Sequence, residues 1–194
     1  MKIYIRDQQK KLKSHLDYLK NKDVMPYDKN HLNEKTSTIN LVTSSHIENL
    51  DIRFLFNYKI FPVNIMSFKT QWQEEGREMR VGDTIVQQVY IPPIKKISQK
   101  LIFGVRISEI FNLPFKKGFS YETLAGHVER GVSSFTIETI SQERLIFKIH
   151  TYSKPSTILT KLFGTTLSIP YQTFCTKTAL KNVKKQVESN LQPD

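Results

Sequence analysis

Residues 100–152 read KLIFGVRISEIFNLPFKKGFSYETLAGHVERGVSSFTIETISQERLIFKIHTY, and large apolar side chains recur through them at a spacing of two. In an extended chain successive side chains point to opposite faces. Leu101, Phe103, Val105 and Ile107 therefore share one face of a strand, as do Phe119 with Tyr121, Phe135 with Ile137, and Leu145 with Phe147 and Ile149. Asn112 with Pro114, Gly126 with Gly131, and Ser141-Gln142 divide the stretch into strands at about 100–110, 116–123, 132–140 and 143–152. Links this short join antiparallel neighbours. The prediction is an antiparallel meander whose apolar face must be covered by a second layer.

Upstream, the same period predicts strands at Thr38–Thr43, Ile65–Thr70 and Asp83–Ile91, the last bounded by Gly82-Asp83 and Pro92-Pro93. Between the first two, Ser44 or Ser45 offers a helix cap and Glu48 completes a capping box with Ser45. Ile47, Leu50, Phe54 and Tyr58 then follow at helical spacing until Pro62. Downstream, Ile158, Leu159, Leu162 and Phe163, then Tyr171, Phe174, Cys175, Val183 and Val187, predict a long amphipathic helix. A kink or break is expected between Gly164 and Pro170, with Ser168 available as a cap. Tyr4, Ile5, Leu12, Leu16 and Leu19 predict a short N-terminal helix, and residues 21–37 read as a loop. The expected fold is α+β: a helical extension and linker over 1–35, then a domain over 36–190 in which about seven curved antiparallel strands wrap a long C-terminal helix.

Length and composition agree with a globular chain. The 194 residues are long enough to bury a core without disulfides, and 12 Phe with 8 Tyr are too many for a disordered polymer. One cysteine, Cys175, excludes a disulfide framework and a cysteine-rich zinc module. Lys2, Arg6, Asp7 and Lys10 interrupt the first ten residues as a secretory signal would not tolerate, so the expectation is a cytoplasmic chain. The longest uncharged run, Leu162 to Thr176, is too short and too rich in Thr to span a bilayer.

Several residue types could carry chemistry. His127 and Glu129 stand two apart in a glycine-bracketed loop, where the carboxylate could orient the imidazole as a general base; the bland alternative is a histidine that braces the loop backbone. The other histidines, His15, His31, His46 and His150, are scattered without metal-ligand spacing, and no glycine loop for a nucleotide is visible, so neither a metal nor a cofactor is implied. Cys175 reads as an inert core thiol, and Trp72 as the cover of a core edge or the lining of a pocket mouth. Residues 144–188 hold eight basic side chains against Glu188 alone, most of the net charge of +11. Lys181, Lys184 and Lys185 could meet an anionic membrane or nucleic acid, or simply form a solvated helix face.

Three motifs in order carry a family resemblance. Tyr121–Phe135 (YETLAGHVERGVSSF), Trp72 followed by Val81-Gly82-Asp83-Thr84-Ile85-Val86, and Ser153-Lys154-Pro155 resemble the domain-of-unknown-function family numbered 1990 over roughly residues 36–187. Ala125 and Val128 stand where that family usually shows proline. The resemblance implies the helix-grip superfamily of START-like lipid-transfer and pollen-allergen-like proteins, hence a binder of a hydrophobic ligand or lipid with no established reaction. Together with the shared apolar face, it places a cavity between sheet and terminal helix, walled by Phe103, Phe119, Tyr121, Phe135 and Phe147, with His127 at its rim and Trp72 at its mouth. A fully packed core is the competing expectation.

Overall fold

A computed structural model describes residues 2–43, 45–94, 97–141 and 144–189, with side chains assigned throughout except over 157–169. Among them the strands are β1 (Lys2–Tyr4), β2 (Asn33–Leu41), β3 (Met66–Thr70), β4 (Thr84–Ile91), β5 (Gln99–Leu113), β6 (Lys116–Thr123), β7 (Glu129–Ser141) and β8 (Arg144–Pro155). The helices are α1 (Leu12–Lys20), α2 (Arg53–Phe56), α3 (Gln71–Glu74) and α4 (Thr157–Ser189). The strands form one open antiparallel sheet in the order β2-β8-β7-β6-β5-β4-β3. Register shifts at Ile107/Glu109 in β5 and Thr139/Ser141 in β7 insert an extra residue, which bends a strand and increases its twist.

The alternation anticipated from the sequence sorts the sheet into two faces. Val105, Ile107, Phe119, Phe135, Ile137, Phe147 and Ile149 are buried in one cluster with Ala179, Val183 and Val187 of α4. Val86 and Ile102 point the other way and join Leu12, Leu16 and Leu19 of α1 with Leu124. Each such leucine contributes roughly 2 kcal/mol by leaving water. Gly104 permits this approach, because a Cβ there would meet the Leu19 and Leu124 side chains at 3.0 Å.

Four local expectations are corrected. Tyr4 lies in a strand and not in the first helix: β5 extends past the end of β6, and Lys2–Tyr4 pair with the exposed backbone of Lys100, Leu101 and Ile102. This makes eight strands. The segment 21–37 is not all loop, since pairing with β8 draws Asn33 to Ser37 into β2 despite their polar character.

The helix expected from Ser45 to Tyr58 shrinks to Arg53–Phe56. The Asp51 carboxylate accepts the Arg53 N–H at 3.0 Å, an Asx-type bond that starts the helix late. Tyr58 then adopts φ 59°, with its N–H on Leu55 O and the Lys59 N–H on Phe54 O, the Schellman pattern of a helix end. Finally, of the kink or break expected between Gly164 and Pro170, the break is absent: α4 runs from Thr157 to Ser189 with Pro170 inside it. Ser44, Gln142 and Glu143, and the side chains of Ile158, Leu159, Leu162 and Phe163, lie outside the described residues.

Candidate functional site

The inner face of the sheet and α4 do not fill the space between them. A cavity of about 510 Å³ remains, an ordinary size for a small-molecule site. Leu101 and Phe103 of β5, Phe135 of β7, Ile149 of β8, Phe61 after α2, and Tyr171 with Cys175 of α4 form its apolar wall. The Phe135 ring lies 5.2 Å from that of Tyr121 and 6.1 Å from that of Phe61, so neighbouring rings fix each other's positions. The Tyr171 hydroxyl donates to Tyr90 O at 2.7 Å, tying α4 to β4.

A strip of polar groups crosses this wall. Gln87 shares the inner face of β4 with Ile85 and Val89, and its Nε2 donates to the Tyr58 hydroxyl at 2.6 Å. The Tyr121 hydroxyl interacts with Tyr58, Gln87 and Ser133, and burial pushes its pKa up to about 12. Ser133 Oγ and Thr151 Oγ1 are 3.1 Å apart on neighbouring strands. Gln87, Tyr121, Ser133 and Thr151 all line the cavity and offer it neutral hydrogen-bonding atoms. The left-handed backbone of Tyr58 is unfavourable for a bulky residue, and its complete burial with the Gln87 bond offsets that cost.

His127 and Glu129 also reach the cavity, by separate routes. Nδ1 of His127 lies 2.9 Å from the backbone N and 3.0 Å from the backbone O of Glu129, so the main chain of Glu129 holds the ring in either tautomer. The ring packs edge-on to Phe103 with centroids 4.2 Å apart, and burial pushes its pKa down to about 3. So buried a ring is a weak base. The Glu129 carboxylate is turned away from the imidazole and accepts from Gln172 Nε2 of α4; Ser153 is its second hydrogen-bonding partner. Burial raises the Glu129 pKa above the usual carboxylate range. Of the two readings of His127, the one in which it braces the loop backbone holds, and the one in which the Glu129 carboxylate orients the imidazole is corrected. Gly131 closes the loop where a Cβ would stand 1.9 Å from Tyr152 O.

The residues expected from sequence separate into three groups. Phe103, Tyr121, His127 and Phe135 line the cavity; Phe119 and Phe147 are fully buried behind it. Trp72 lies elsewhere, 2% exposed, bordering a separate hollow with Leu50, Ile52 and Met79, and its indole N–H has no hydrogen-bond partner among the described residues. The neighbouring Gly82-Asp83 motif builds a corner: Asp83 accepts Arg77 at 2.6 and 2.8 Å and the Arg80 N–H at 2.7 Å. Gln87, Phe61, Tyr171, Gln172 and Lys35 line the cavity without having been singled out. Gln87 was readable, being a polar residue in phase with Ile85 and Val89; the others come from loops, a polar edge strand and a helix whose facing side the periodicity left open.

Cys175 is on the cavity wall, and burial pushes its thiol up to about 11, which leaves it an unreactive thiol. Lys177, Lys181 and Lys185 are exposed on α4, opposite the buried Ala179 and Val183, and Lys184 pairs with Glu188 at 3.6 Å. Among the described residues no three His, Cys, Asp or Glu side chains gather as a metal site, and no helix is long and apolar enough to cross a membrane.

An open curved antiparallel sheet with a long C-terminal helix across its inner face defines a helix-grip α+β protein. The chain belongs to the family described as a domain of unknown function (DUF1990), whose profile matches residues 52–181. Among solved structures it is similar to a hypothetical protein of Helicobacter pylori, at 6% identity and a TM-score of 0.55, covering 85% of this chain and 96% of that one. It is also similar to the major latex-like protein 151 of Panax ginseng, at 13% identity and a TM-score of 0.50, covering 80% and 97%. At such identities the likeness extends to the fold alone. No curated protein matches the sequence.

Proposed function

We propose that this protein binds a small apolar or amphipathic molecule in the cavity between the sheet and α4. The supporting observation is the cavity itself: about 510 Å³ walled by Phe103, Phe135, Ile149 and Phe61 and crossed by the neutral polar strip of Gln87, Tyr121, Ser133 and Thr151. Natural interiors are close-packed, and a void of this size among aromatic side chains costs contacts that an occupant would restore. The apolar wall supplies affinity and the polar strip fixes orientation.

The reading is tested by titrating the neutral fluorophore N-phenyl-1-naphthylamine into the protein. Saturable binding is expected in the wild type and its loss in Cys175→Trp, which places an indole in the cavity from α4. Ile149→Trp blocks from the opposite wall and serves where the first variant melts early. Unsaturable fluorescence, or equal binding by both well-folded variants, contradicts the proposal.

A further inference from the structure

Lys35 and Glu129 are the charged side chains that line the cavity, and they form no ion pair with each other. Glu129 is partly buried, lines the cavity and forms no ion pair among the described residues; its carboxylate is met by the neutral donors Gln172 and Ser153. A carboxylate taken from water normally has a cation beside it, because desolvation costs several kcal/mol that neutral hydrogen bonds only partly restore. Burial raises the Glu129 pKa, and Ser153, Gln172 and the field of the exposed Lys35, short of an ion pair, lower it only in part.

We propose that the missing cation belongs to the ligand: the cavity selects an apolar molecule carrying a protonated amine, with the ammonium on the Glu129 carboxylate and the hydrocarbon against Phe103 and Phe135. This rests on the ligand-binding reading above. The Tyr121 hydroxyl feels the same carboxylate, which places an aromatic ring beside the ammonium position, and such rings attract cations. Lys35 also borders the cavity and is the natural partner of an anionic head, but it is exposed. A charge pair in an environment of intermediate dielectric is about fourfold stronger than the same pair in bulk water, so the recessed Glu129 outweighs the solvated Lys35.

The test uses decylammonium, decanol and decanoate, each displacing N-phenyl-1-naphthylamine from the full chain at pH 7.5. The proposal expects decylammonium to bind at least about tenfold more tightly than decanol, as a hydrogen bond to a charged group would give. Decanoate should be the weakest. In Glu129→Gln the ratio of decylammonium to decanol affinity should fall to within about threefold, the range left by losing the charge. Equal binding of amine and alcohol by the wild type, tighter binding of decanoate, or a preference that survives Glu129→Gln overturns the proposal. The wild-type ranking decides the matter even where the variant folds poorly. Failure of all three probes and the fluorophore would instead sink the cavity reading, and this proposal with it.

Discussion

Replacing His127 by Gln should change how the protein responds to acid. In the folded chain burial holds the His127 pKa near about 3, whereas its ordinary value is 6.5. Below pH 6.5 the unfolded chain takes up a proton that the folded chain refuses, so the contribution is full above pH 6.5 and is lost as the pH falls. The slope approaches about 1.4 kcal/mol per pH unit, and integrating from pH 8 to pH 5 gives a loss of about 2 kcal/mol. For a chain of this size that is roughly 4 to 8 °C in melting temperature. Glu129, whose pKa is raised, acts in the opposite direction, as the unfolded chain releases its proton at lower pH. That term is present in both proteins and cancels in their difference. The amide oxygen introduced by His127→Gln can still accept the Glu129 N–H. The assay is urea unfolding of wild type and His127→Gln at pH 8, 7, 6 and 5. The wild type should lose about 2 kcal/mol more than the variant by pH 5. Parallel curves would refute a buried neutral imidazole.

Two further substitutions test the packing. Phe119 is fully buried, with ring centroids 5.6 Å from Phe135 and 6.0 Å from Tyr58, so Phe119→Ala should cost about 3 to 5 kcal/mol by chemical denaturation. Phe103→Ala, at a wall that already faces space, should cost less; the reverse order would count against an open cavity. Gly131→Ala puts a Cβ at 1.9 Å from Tyr152 O with φ at 146° and should cost at least about 3 kcal/mol, read as an early thermal transition; an unshifted melt would show that β7 and β8 are not held this closely.

The sheet was legible because its central strands obey a period of two without exception where it matters: Phe103, Phe135 and Phe147 all point inward as their spacing requires. What escaped was decided by tertiary partners. Lys2–Tyr4 have no strand signature of their own and are strand because β5 leaves backbone to pair. Asn33 to Ser37 are polar and are strand because β8 is long. The stretch Ile47 to Tyr58 has a helical period, yet Ile47, Leu50, Ile52 and Leu55 all reach the core by folding as turns around a single short helix. At the site, the sequence located four of seven residues on the lining, since an inward face is periodic while distance from a void is not. Phe119 and Phe147 share the face of the lining residues but lie beneath it. The pairing of His127 with Glu129 was visible as spacing, but which atom of Glu129 meets the ring depends on loop backbone that spacing does not encode.

The central claim, an accessible apolar cavity that holds a small molecule, is tested most directly by native mass spectrometry of the freshly purified protein beside its denatured mass. The account predicts a discrete noncovalent addition that disappears on denaturation and is absent from Cys175→Trp. A bare native mass that stays bare after incubation with a saturating apolar probe would contradict it.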